Sequence, residues 1–251
     1  MAALDVVLMA AGLGSRLGDL TRSLPKALIA VNGSPLLAYG LAFARLLSPR
    51  KIIVVGGFEF DQVQSTLGAL SEGSAAGLPI ELVRNTEFRR GNILSFQAAR
   101  PHLTDDFVLL NVDHIYRPAI ARVVTAAVDD VTGFIDTDRS LGNDDMKVLR
   151  DDRGRIAEIA KTLTTFDCGY VGMTRVPGGA RARYLAEVDA AMAQDGLDIH
   201  VERVLARLAR TSTPPHCRDI SGHGWLEVDT PDERSHAEAQ LRTGGWSGLR
   251  V

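Results

Sequence analysis

Short apolar runs alternate with longer stretches of helical spacing over the first 135 residues. The strand-like runs are 4–9, 51–56, 79–83, 106–112 and 131–135, and the helical patterns between them are 35–47, 60–70, 92–100 and 117–128. The runs are apolar at consecutive positions, as in Ile52-Ile53-Val54-Val55 and Phe107-Val108-Leu109-Leu110. Strands covered on both faces need that pattern, whereas half-exposed strands alternate. The alternation predicts an α/β protein, a parallel sheet with helices on both sides. Ligands of such sheets bind at the carboxyl ends of the strands.

Beyond residue 140 the rhythm changes. Met146 to Leu149 and Ile156 to Ile159 read as short strands joined at Asp152-Arg153-Gly154, a turn signal. Helical stretches follow at about 178–194 and 199–209, and a strand over 225–228 ends in Asp229. Thr230-Pro231-Asp232-Glu233 then opens a last helix. Thr caps it, Pro takes the first turn, and the acids complement the dipole. No repeat or long linker intervenes, so one domain is expected over 1–243, with a loosely ordered tail at 244–251.

Composition adds limits. A chain of 251 residues, 45% hydrophobic and 24% charged, can bury one large core. A net charge of -3 gives no bulk attraction to nucleic acid, so any basic site is local. No apolar run approaches the roughly 20 residues of a membrane span. Met1-Ala2-Ala3-Leu4-Asp5 lacks the basic start of a signal peptide. Cys168 and Cys217 are the only cysteines, too few for a disulfide framework, so the cytoplasm is expected. Oligomeric state is left open by the pattern.

The chemistry gathers after the first strand. Ala10, Ala11, Gly12, Gly14 and Ser15 are small, so backbone can approach a ligand and successive N–H groups can cradle an anion. Arg16 and Lys26 add positive charge. This is no P-loop, because no Lys follows a glycine at the required spacing. Nor is it the dinucleotide fingerprint, because Gly12, Gly14 and Gly18 run one residue too long and no acid closes the strand near residue 55. A bare Gly-x-Gly would suit a plain strand-to-helix turn, but with Arg16 and Pro25-Lys26 beside it the segment describes a triphosphate site. Asp113 and Asp229 each end an apolar strand. Each would suit a helix cap or turn on its own, but a hard cation such as Mg²⁺ prefers such oxygen ligands and would neutralise phosphates bound beside them.

These segments resemble the nucleotidyltransferases that activate phosphorylated sugars and alcohols. Leu8 to Leu17 and Pro25-Lys26-Ala27-Leu28 match the family's signature. The resemblance implies a three-layer α/β/α Rossmann-like nucleotidyltransferase fold with a mixed, mostly parallel sheet. It implies nucleotide binding by Leu8, Ala10, Ala11, Gly12, Gly14, Ser15, Arg16 and Lys26, and metal binding by Asp113 and Asp229. Asn111-Val112-Asp113-His114-Ile115-Tyr116 and Trp225 to Pro231 are similar to the inositol-phosphate cytidylyltransferases, with Glu227 where that branch has Asp. Arg155 to Leu163, also similar to that branch, implies that Lys161 holds the acceptor phosphate. Gly91-Asn92 and Ser95 are similar to elements of the cytidylyltransferases and imply CTP. Asn92 also suits a helix cap.

The expected function is Mg²⁺-dependent transfer of CMP from CTP to a phosphorylated polyol or small alcohol, releasing pyrophosphate. The in-line attack needs position and positive charge more than a protein nucleophile. A sugar-1-phosphate nucleotidyltransferase using UTP, dTTP or GTP is the alternative, although Ile159-Ala160-Lys161-Thr162 departs from the Glu-Lys-Pro of the sugar branches. A non-catalytic nucleotide-binding module would have no need of both Asp113 and Asp229.

Overall fold

The computed structural model describes residues 4–249 and 251. The reading of Met1 to Ala3 as carrying no leader lies outside them. The chain order is β1 (Asp5–Ala10), β2 (Ala30–Val31), β3 (Ser34–Pro35), α1 (Leu36–Leu46), β4 (Lys51–Gly56), α2 (Phe60–Glu72), β5 (Ile80–Arg84) and α3 (Ile93–Ala99). Next come β6 (Phe107–Asn111), β7 (His114–Tyr116), α4 (Ile120–Thr125), β8 (Thr132–Asp136), β9 (Lys147–Arg150) and β10 (Ile156–Ala160). β11 (Cys168–Val176), α5 (Gly178–Asp195), α6 (Glu202–Leu208), β12 (His216–Asp219), β13 (Trp225–Glu227) and α7 (Pro231–Leu241) complete it.

The main sheet has nine strands, with the path β10-β9-β11-β6-β1-β4-β5 and with β8 and β12 branching from β11. β1 lies between β4 and β6 and is parallel to both. β11 is antiparallel to β6 and β8, so the sheet is mixed and mostly parallel. Side chains of a strand alternate between faces, and β1 divides its own accordingly. Val6, Leu8 and Ala10 join one core with α1, α2, α4 and α7. Val7, Met9 and Ala11 join the other with α3, α5 and α6. Two cores around one sheet make three layers, the expected α/β architecture.

The predicted elements of the first half are present, most within a residue of the expected bounds, although α4 is shorter than the expected 117–128. β11 and β12 carry no strand signal in the sequence. β11 is buried throughout yet is broken by Gly169 and Gly172 and carries Arg175, whose guanidinium donates to the carbonyls of Val124 and Ala126. β12 reads His-Cys-Arg-Asp and is a strand because β8 offers it a parallel edge. The tail also differs from expectation. Trp246 and Leu249 are buried in the first core, and the Arg117 guanidinium lies 4.9 Å from the Trp246 ring. Apolar burial and a cation–π contact order a segment whose glycines suggested a loose end.

Candidate active site

The carboxyl ends of β1 and β6 place the loop 11–15 beside Asn111 and Asp113. Gly14 has φ +67°, and a Cβ there would lie 2.9 Å from the Cβ of Lys26. The loop can therefore close over Lys26 only with glycine at this position. Thr21 fixes it by donating to the Gly14 carbonyl at 2.7 Å. Pro25 directs the chain into a single helical turn over Lys26–Leu28, and the Lys26 side chain is buried beneath the loop.

Asp229 arrives from the other side of the sequence. It follows β13, which pairs with β7, and precedes α7. The capping box is formed as the sequence suggests: Thr230 Oγ1 accepts from Glu233 N–H. Glu233 Oε2 accepts from the N–H groups of Asp229 and Thr230 at 2.9 and 3.0 Å. The cap of α7 thus fixes the backbone of Asp229.

The charged groups converge. Lys26 Nζ donates to Asp113 Oδ2 and to Asp229 Oδ1, each at 2.5 Å. Arg16 pairs with the other oxygen of Asp229 and, at 3.3 Å, with Asp144. His114 Nδ1 lies 2.7 Å from Asp113 Oδ1, and its ring stacks on Trp225 at 5.0 Å. Burial alone would push the Lys26 ammonium down, but Asp113 and Asp229 outweigh it and hold the pKa above its ordinary value. Burial would likewise raise Asp113, yet Lys26 and His114 hold its carboxyl well below the usual carboxylate range. Both groups are charged in the folded protein.

Two cavities meet at this cluster and share Arg16, Lys26, Asp113 and Asp229. One is lined by Met9, Ala11, Gly12, Gly14, Ser15 and Ser95. The other is lined by Asp144, Asp145, Lys161, Tyr170, Glu202 and Glu227. The first has the small-residue loop as its wall, and the second has Lys161.

Several sequence expectations fall differently. Leu8 and Ala10 point into the core, and a Cβ on Gly40 would sit 3.5 Å from the Leu8 side chain. The alternate residues Met9 and Ala11 face the cavity, as the two-residue period of a strand requires. Gly91 is engaged in packing: its N–H donates to the Leu197 carbonyl and its carbonyl accepts from Leu94. Asn92 lines both cavities, but its Oδ1 accepts from Val201 N–H at 2.7 Å and caps nothing in α3. Ser95 lines the nucleotide-side cavity, with its Oγ taken by Asn85 Nδ2 at 3.0 Å. Glu227 binds Arg139 at 2.7 Å rather than standing free as a further metal acid. Lys147 is buried and donates to the Lys161 carbonyl at 2.8 Å, so it holds the segment that carries Lys161. His200 and Glu202 line the cavities without a local sequence signal, because α6 and its preceding loop reach the site only through packing against β10 and α5.

Residues 6–211 match the model of the MobA-like NTP transferase domain. The chain belongs to that family and is a nucleotidyltransferase. A bifunctional IPC transferase and DIPP synthase of Rubrobacter xylanophilus is 30% identical over 95% of this chain and 52% of its own length. A CMP-5'-(3-aminopropyl)phosphonate synthase of Streptomyces rubellomurinus is 28% identical over 92% of this chain and 38% of its own length. The chain thus spans about half the length, or less, of the curated relatives it matches. The inositol-1-phosphate CTP transferase from T. maritima shares the fold, with a TM-score of 0.79 at 20% identity, covering 96% of both chains. Among the described residues no helix is long and apolar enough to cross a membrane.

Proposed function

We propose that the protein transfers CMP from CTP to a phosphorylated polyol or small alcohol, or the corresponding phosphonate. The products are a CDP-alcohol, or its phosphonate counterpart, and pyrophosphate. One observation carries the reading: two cavities of different chemistry meet at Lys26, Asp113, Asp229 and Arg16. The triphosphate lies against the loop 11–15, and the acceptor lies on the side of Lys161. A phosphate or phosphonate oxygen of the acceptor attacks the α-phosphorus in line, the bond to the β-phosphate breaks, and pyrophosphate leaves. Arg16 and Lys26 stabilise the charge that spreads over the phosphoryl oxygens. Lys161 holds the acceptor's phosphorus group.

The donor set suits Mg²⁺. Asp113 and Asp229 both reach one cation, here the Lys26 ammonium, and offer hard oxygen ligands. No cluster of three or more acidic, His or Cys side chains surrounds a metal position among the described residues. Mg²⁺ commonly takes one or two carboxylates and completes its shell with phosphates and water. When bound, the cation supplies charge neutralisation at the phosphates. Cytidylyl transfer is supported by relatives named for IPC and CMP chemistry. The cytoplasm remains the proposed location.

Pyrophosphate release with Mg²⁺ tests the reading, crossing CTP, UTP, dTTP, GTP and ATP against inositol 1-phosphate, phosphocholine, 2-aminoethylphosphonate and glucose 1-phosphate. Release with CTP and a non-sugar acceptor is expected. Release with a hexose phosphate and another nucleotide would overturn the base and acceptor and keep the chemistry.

A further inference from the structure

Two charged side chains of the acceptor cavity, Lys161 and Glu202, pair with no described residue. Glu202 opens α6 and is 7% exposed, yet its carboxylate makes no hydrogen bond or ion pair with the described residues. Its oxygens are not fully enclosed, and the residue lines this cavity and the adjoining one beside Ile159 and Arg203. The other acids of that wall are engaged. Asp144 faces Arg16 at 3.3 Å, Asp145 accepts from Gly142 N–H at 2.5 Å, and Glu227 is held by Arg139. Tyr170 beside them spends its hydroxyl on Thr174 at 2.7 Å.

A carboxylate taken out of water without a partner is costly, and a ligand that restores the partner recovers that cost. We propose that Glu202 selects an acceptor bearing a primary ammonium group, with the phosphate or phosphonate at Lys161 and the ammonium at Glu202. The proposal rests on the reading of this cavity as the acceptor side. A primary ammonium carries three N–H donors and a full charge, so it satisfies the carboxylate with charge-assisted bonds. A quaternary ammonium brings the charge but no N–H to bond the carboxylate, and of the aromatic faces that help to hold such a group this lining offers only Tyr170 among Phe, Tyr and Trp. A neutral polyol donates hydroxyls and leaves the charge uncompensated.

The test is calorimetric binding of 2-aminoethyl phosphate, 2-hydroxyethyl phosphate, phosphocholine and inositol 1-phosphate to the nucleotide-free protein, beside CTP-dependent pyrophosphate release. The amino and hydroxy ligands differ only in the group presented to Glu202. The amino ligand is expected to bind roughly tenfold to a hundredfold tighter, the range of a hydrogen bond to a charged group. Glu202→Gln, of the same shape, is expected to bring that ratio close to one. Equal binding of the two by the wild-type protein, tighter binding of inositol 1-phosphate or phosphocholine, or an unchanged ratio in Glu202→Gln would overturn the proposal. The binding ratio needs no nucleotide. Selective binding without CTP turnover would therefore support Glu202 while overturning CTP as donor. CTP turnover without amino selectivity would do the reverse.

Discussion

Lys26 Nζ sits 2.5 Å from both Asp113 and Asp229, so one ammonium bridges two carboxylates that are 116 residues apart in the sequence. Lys26→Met removes the charge and leaves the acids facing each other. Breaking a buried pair in this way costs about 3–5 kcal/mol, less here to the extent that Arg16 still holds Asp229. Stability measured by urea should fall accordingly, and Mg²⁺ should restore part of it in the variant and little in the wild type. Turnover should drop at least ~10²-fold, the scale of a lost transition-state donor. A variant of wild-type stability, indifferent to Mg²⁺, would contradict the shared-cation arrangement.

Asp113→Asn and Asp229→Asn address the metal directly. If both carboxylates hold Mg²⁺, chelation should abolish pyrophosphate release and added Mg²⁺ should restore it. Each Asn variant should need substantially more Mg²⁺ for half-maximal rate, because a neutral amide is a poorer ligand for a hard cation. Asp229→Asn should also loosen Arg16, whose guanidinium pairs with it, and raise the KM for the nucleotide. A Mg²⁺ requirement unchanged in both variants would remove these residues from the metal site.

The two cysteines should be inert in the folded protein. Burial pushes the Cys217 thiol up to about 12 and the Cys168 thiol higher still. The thiolate is the nucleophile, and at pH 8 both groups are almost wholly protonated. Ellman's reagent should label neither at an appreciable rate until guanidinium unfolds the chain, when both titrate near the ordinary value of about 8.5. Rapid labelling of Cys217 in the native state would show its environment to be wetter than the structure places it.

What could be read from the sequence follows the range of the interaction that sets it. Strands β1, β4 and β6 announce themselves because burial on both faces demands consecutive apolar residues. The cap of α7 is also visible, since Thr230 and Glu233 are three residues apart and bond each other. β12 is not visible, because His216 to Asp219 become a strand only when β8 supplies the edge. The same holds within the site. Asp113 and Asp229 follow strands, Arg16 and Lys26 lie in the turns after β1, and the four form one cluster in the structure, whereas Glu202 and His200 come from a helix and loop placed by long-range packing. A motif matched residue by residue does not say which way a strand side chain points: of the matched run, Leu8 and Ala10 face the core, while Met9 and Ala11 line the cavity.

Gly12 and Gly91 separate a binding role from a packing role. A Cβ on Gly12 would meet nothing within 4 Å, whereas a Cβ on Gly91 would lie 2.1 Å from the Ile199 carbonyl oxygen and 2.4 Å from its nitrogen. Those neighbours are backbone and cannot turn aside. Gly91→Ala must therefore part α3 from the segment 197–201, breaking the bonds from Gly91 and Ile93 to the Leu197 and Ile199 carbonyls. A loss of roughly 2–4 kcal/mol is expected from strain and broken bonds together. Gly12→Ala should change stability by less than about 0.5 kcal/mol, as surface substitutions do. Its methyl would occupy the space into which the triphosphate backs against the loop, so nucleotide affinity should fall severalfold with the fold intact. Thermal denaturation and nucleotide binding measured on both variants decide the matter. If Gly12→Ala binds CTP as the wild type does, the loop 11–15 is not the triphosphate cradle, however well the surrounding charges suit one.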